Sequence, residues 1–249
     1  MLRGLWRLTW IEIKIFVREP LGVFGTVGVP ILMFLVIGRL VGPALRRPDS
    51  SIPRIVGADL PVFVSIFIAI GAVVSLVAIM AIYREGGILR RLRAPPIRPH
   101  TILLAHVLVK LLFTSVTLVG LTLAGRRFYP VGSDVPLVSF GLAVVFSTIC
   151  ILSLGFLIAS IVPTARFAQP IGAVVLYPML GISGLFGPLD ALPPTLQTVA
   201  QLLPFTHAVS LLRGVWRGEG WSGHAGDVAA LLAIAAACTI ASAKTFRWE

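Results

Sequence analysis

Six long, continuous apolar runs, at about 21–42, 58–82, 101–124, 136–162, 169–187 and 225–243, constrain this chain more than any other feature. A helix needs about 20 mostly apolar residues to cross a hydrocarbon layer of roughly 30 Å, and each run meets or approaches that length. Membrane barrels are built from short segments that alternate in polarity, which these runs do not. The expected fold class is therefore all-α. The chain reads as a polytopic membrane protein with six transmembrane helices in a single domain over 1–249, seated in the cell's inner (plasma) membrane.

Only 12% of residues are charged against 57% hydrophobic, so the formal charge of +11 is carried by little polar surface. A basic balance raises the question of nucleic acid, but Lys and Arg here are spread over every segment between the runs and form no single face. Anionic membrane lipid and an acidic protein surface are the expected counterparts, and nucleic acid is not. Cys150 and Cys238 fall within predicted spans and imply no redox role. The first run follows a basic stretch, as in a signal peptide, yet it exceeds an h-region and five more runs follow, so it is expected to be retained.

Arg3, Arg7, Lys14 and Arg18 fall within one narrow arc at 100° per residue, while Trp6, Trp10, Ile13, Phe16 and Val17 occupy the rest. Residues 3–19 thus predict a helix lying in the cytoplasmic interface, its basic stripe toward headgroups. Glu12 and Glu19 lie away from that arc, where they reach water at the helix ends or meet a partner protein. Pro20 ends the helix and turns the chain into the first span. With both termini cytoplasmic, the inner pieces carry twelve Lys and Arg against eight outside, the sense of the positive-inside bias.

Between the second and third runs stands a basic segment, 84–99, punctuated by Gly86, Gly87, Pro95 and Pro96. Leu89 and Leu92 are one turn apart, with Arg90, Arg91 and Arg93 around them. A plain loop between spans needs no such amphipathic core, so the segment is expected to dock a soluble partner. On the other side, residues 188–223 hold two apolar pieces, 195–203 and 205–216, each too short to cross and separated by Pro204. Two short re-entrant helices in the outer leaflet satisfy that backbone; one ordinary loop with a surface helix is the plainer reading. His207 and Arg213 are expected near the outer mouth, the arginine reaching headgroups.

No Gly-x-x-x-x-Gly-Lys-Ser/Thr phosphate loop occurs, and the only lysines are Lys14, Lys110 and Lys244. His100, His106, His207 and His224 have no metal-ligand spacing, and no nucleophile elbow or intramembrane carboxylate pair is present. Neither catalytic residues, a metal nor a cofactor on this chain is expected. Lys110 lies inside the third run, and its stem is expected to carry the ammonium back to the cytoplasmic interface. Gly181, Gly184 and Gly187, with Pro178, suit close packing or a bend.

Three features together resemble the permeases of type-2 ABC transporters, the membrane subunits of ABC exporters, over nearly the whole chain. They are the interfacial helix ending Arg18-Glu19-Pro20; the pattern Glu85-x-Gly87-x-Leu89-x-Arg91-Leu92-x-Ala94-x-Pro96 followed by Ile102-Leu103-Leu104; and Leu203-Pro204-Phe205-Thr206-His207-Ala208-Val209 leading to Leu212-Arg213-Gly214. Ile88 departs from the threonine usual in the family, and Ala105-His106 from its common Gly-Lys. The resemblance implies that Glu85, Gly86, Gly87, Leu89, Arg91, Leu92 and Pro96 belong to a cytosolic coupling helix seated on an ABC ATP-binding subunit. It places ATP and Mg on that separate subunit, and a second permease copy, identical or not, beside this one. Pro204, His207 and Arg213 would belong to the re-entrant outer helices. The expected function is outward movement of an amphipathic drug, lipid or lipid-linked glycan. A non-transporting scaffold that docks a soluble partner is the alternative; an ion-coupled transporter would call for mid-membrane carboxylates, which are absent.

Overall fold

The computed structural model describes residues 2–45, 60–86, 99–128, 137–162, 164–186 and 188–245, and every regular element among them is helical. In chain order these are α1 (Leu2–Arg18), α2 (Pro20–Val23), α3 (Val29–Leu45), α4 (Leu60–Glu85), α5 (Pro99–Phe128), α6 (Leu137–Ile161), α7 (Ala165–Gly181), α8 (Pro194–Gln201), α9 (Pro204–Trp216) and α10 (Ala225–Thr245). A five-residue π turn, Phe24–Gly28, joins α2 to α3. Helix thus occupies the position of every apolar run. Among the described residues α5, α6 and α10 are long and apolar enough to cross a membrane, and α1 taken with 20–36 makes a bent fourth. Of the residues expected to dock a partner, Gly87, Leu89, Arg91, Leu92 and Pro96 lie outside the described residues; Glu85 closes α4 and Gly86 follows it, both exposed.

Proline placement explains the breaks. Glu19, the residue before Pro20, is pushed off helical geometry to φ −97°, ψ 86°, and the helix beyond stands at 95° to α1. That right angle is what a helix lying in the interface needs before a span. Pro30 has no N–H to return to the Thr26 carbonyl, and the Thr117 hydroxyl of α5 reaches that oxygen at 3.4 Å. Nearby, a Cβ on Gly120 would come within 2.6 Å of Ile31, so α3 and α5 approach closely because residue 120 lacks a side chain. The fifth run ends at Gly181, earlier than its apolar length suggests, because the chain turns through Gly184 at φ +81°.

The centre of the bundle is α6, which packs against α4, α5, α9 and α10, while α4 also lies along α7. Its buried side follows Phe140, Ala143, Val144, Ile151, Leu152, Ile158 and Ala159, and these meet Val73, Leu76 and Met80 of α4. α9 is largely buried, from Phe205 through Ala208, Leu211 and Leu212 to Val215. The 188–223 region therefore carries two short helices rather than one, and the second is packed into the core.

Candidate functional site

A polar cluster stands at each end of the bundle. α5 begins beside one cluster, and its far end leads to the start of α6 beside the other, a path of 30 helical residues or roughly 45 Å at 1.5 Å per residue.

At the far end, His207, Ser210 and Arg213 recur every third residue on α9 and so share one side of it. Facing them is Asp227 in the first turn of α10. Its carboxylate lies 2.8 Å from His207 Nδ1 and 2.9 Å from His224 Nδ1, and accepts from the Ser210 hydroxyl at 2.7 Å. The outer nitrogen of each ring also faces an acceptor: His207 Nε2 is 2.8 Å from the Gln201 carbonyl, and His224 Nε2 is 3.0 Å from Glu219. Asp227 thereby ties α9 to the start of α10. Arg213 does the same for the turn after α7, its guanidinium donating to the Gly184 carbonyl at 3.3 Å. Trp221 donates to Ser139 at 2.9 Å and fixes the beginning of α6. Between these groups is a cavity of about 350 Å³ lined by Ser183, Asp190, Arg213, Arg217, Glu219 and His224. Among the described residues no three His, Cys, Asp or Glu side chains converge to hold a metal ion. Pro204 occupies the first turn of α9, where its missing N–H costs nothing.

Gly214 explains why His224 fits. A Cβ there would lie 1.7 Å from His224 Nε2, so the ring rests directly on the α9 backbone. Gly214→Ala is expected to push His224 away from Asp227 and Glu219. The overpacking costs about 1–3 kcal/mol, read as a lower melting temperature in a fixed detergent, and adding His224→Ala should restore part of the loss. An unchanged melting temperature in the single variant would show that the ring does not sit there.

At the near end, α1 lies along α5. Of the residues expected at the membrane interface, Arg7, Lys14, Arg18 and Glu19 are exposed, and the Lys14 ammonium stands 5.5 Å over the Trp10 ring; the Arg3 side chain lies outside the described residues. Glu12 behaves differently from Glu19. Rather than reaching water or an outside partner, it turns into the bundle and accepts from the Tyr83 hydroxyl at 2.8 Å, with His106 Nδ1 at 3.7 Å from its second oxygen. Lys110 also departs from expectation. Its ammonium points inward, donating to Ser75 at 2.5 Å and standing 5.1 Å over the Phe16 ring, and only 4% of the residue is exposed. A polar partner deeper in α4 and an aromatic face on α1 hold it away from the interface.

The near cluster and the α9 side of the far one lie within the stretch of sequence that comparison with known proteins matches. Residues 3–216 match the model of the ABC-2 type transporter family. The chain belongs to that family. Among curated relatives of this ABC-2 type chain, the inner membrane transport permease YhhJ of Escherichia coli (strain K12) is 30% identical over 143 residues, 55% of this chain and 37% of the relative. The protein of the same name from Shigella flexneri matches equally. Nodulation protein J of Rhizobium leguminosarum bv. trifolii is 33% identical over 67 residues, 27% of this chain and 26% of the relative. The match thus spans little more than a third of the length of the first relatives, 37%. Both polar clusters of this ABC-2 type chain combine residues singled out separately in the sequence, such as Glu12, His106, Lys110, His207 and His224, with others that are not, such as Tyr83, Ser75 and Ser210. Asp227 with His224, and His207 with Ser210, are each pairs three apart at helix beginnings, which is the signal that could have joined them.

Proposed function

We propose that this chain is the membrane-spanning permease subunit of an ATP-driven exporter, working with a separate ABC ATP-binding subunit that holds ATP and Mg, and with a second permease copy. The cargo class proposed is an amphipathic molecule: a drug, a lipid or a lipid-linked glycan. The observation that carries the reading is the family match across 3–216 together with the place of α1, which meets both α4 and α5 at the ends that bracket 84–99. A partner pressing on that segment would push on two spans at once and bias the bundle between inward-open and outward-open arrangements. Gly86 and Gly87 suit the start of such a segment. The curated relatives named as transport permeases support the same reading.

Purification of the chain from its own membranes is expected to bring down a phosphate-loop ATPase. In nanodiscs the complex should hydrolyse ATP, and a transported amphipath should raise the rate. A chain recovered in its working form with no ATPase attached would overturn the proposal.

A further inference from the structure

We propose that Glu12 is a positioning residue that makes α1 move with the two helices flanking the 84–99 segment. The proposal rests on the reading of this chain as an ATPase-driven permease.

An amphipathic helix held only by headgroups has no use for a carboxylate on its bundle-facing side, where desolvation makes it costly unless paired. Glu12 is 19% exposed, and its two oxygens are divided between two helices: Oε1 accepts from Tyr83 of α4, and Oε2 faces His106 of α5. Tyr83 stands two residues before Glu85, where α4 runs out into the basic segment, and His106 lies in the second turn of α5, just after the chain returns. One carboxylate therefore spans the gap that a docked partner would open or close.

The surrounding contacts brace it. Glu12 and Phe16 are one turn apart on α1 and face His106 and Lys110, one turn apart on α5. The Lys110 ammonium lies over Phe16, Phe16 packs on Phe113 with ring centres 4.3 Å apart, and the Tyr83 and His106 rings are 5.3 Å apart. Lys110 reaches on to Ser75, so α4 is held at two heights, through Tyr83 and through Ser75. The apolar ring contacts fasten α1 to α5 and tolerate small slides. The Glu12–Tyr83 hydrogen bond does not tolerate them, because a carboxylate in this low-dielectric setting either keeps its donor or leaves it unsatisfied, while the His106 ring stands beside the second oxygen at 3.7 Å, beyond a hydrogen bond. If the end of α4 shifts against the start of α5, Glu12 must lose one partner or carry α1 with it.

The test uses the complex of the chain with its ATPase in nanodiscs, with Cys150 and Cys238 replaced and spin labels at Ile15→Cys on α1 and Ile240→Cys on α10, two exposed positions of which the second stands on a helix outside the Glu12 contacts. Trapping nucleotide on the ATPase is expected to change the distance between the labels. Glu12→Gln should abolish that change and lower transport per ATP hydrolysed by roughly 5-fold or more, while hydrolysis itself continues. Tyr83→Phe removes a single hydroxyl and should weaken both readouts in the same direction, which keeps the proposal testable if Glu12→Gln folds poorly. A distance change of unaltered size in these variants overturns the role of Glu12, as does an unlabelled-rate complex whose label distance never changes with nucleotide. Failure of any ATPase to bind the unaltered chain overturns the permease reading instead.

Discussion

Changing both Leu89 and Leu92 to aspartate is expected to strip the ATP-binding subunit from the detergent-solubilised complex while leaving the bundle folded. The two leucines are apolar residues set among the arginines of a basic stretch, one turn apart, so on a helix they form a single small patch. Burying one leucine at an interface contributes about 1.5–3 kcal/mol, and interface energy concentrates in such anchors. Losing both, and placing two carboxylates where the contact was apolar, should weaken association by several powers of ten. Affinity purification from cells expressing the double variant measures this directly. Recovery of the ATPase at the unaltered yield would remove the docking role from this segment, and a melting temperature equal to that of the unaltered chain separates lost docking from lost folding.

Phe205→Ala is expected to damage the bundle itself. Phe205 stands in the first turn of α9, is fully buried at 0% exposure, and belongs to the core where α9 packs against α4, α6 and α10. Inside a membrane the helices gain little by hiding apolar surface from lipid tails, so packing contacts decide their association. A phenylalanine removed from a well-filled site leaves a cavity and costs about 3–5 kcal/mol. Thermal unfolding in a fixed detergent should show a clear fall, with Phe205→Leu falling less. Equal stability of the alanine variant would mean that α9 is not seated in the core.

Much of this architecture was legible because lipid imposes a simple rule on backbone polarity. The six apolar runs locate helix, and Pro20 locates the right-angle turn, because each follows from hydrogen bonding and one fixed dihedral. The pairing of helices was not legible in the same way. An apolar residue in a span can face lipid or protein with little difference in its sequence pattern, as Val138 and Val144 of α6 show, the first exposed and the second buried. The polar clusters were hidden for a related reason. Glu12 was visible as a carboxylate off the basic arc of α1, but nothing in the chain says that Tyr83 and His106 lie beside it. Lys110 was expected to escape toward water, because sequence alone does not reveal that Ser75 and Phe16 offer its ammonium a place inside.

The middle of the bundle is electrically an insulator. Among the described residues several of its hydroxyl groups bond chiefly to their own helices: Thr117 to the Phe113 carbonyl at 2.8 Å, Thr148 to Val144 at 2.7 Å, and Ser153 to Cys150 at 2.6 Å. Around them the space is filled by Ile66, Leu76, Met80, Ile151 and Leu152. Moving an ion from water into such a medium costs on the order of 20 kcal/mol in the idealised limit, and hydroxyls already bonded to their own helices do little to offset it. On the permease reading proposed above, a polar cargo would therefore have its corridor along the outside of the bundle, with this chain as one wall. The second permease copy proposed above would supply the opposite wall, so a defect in one wall would be open to repair by a matching change in the other.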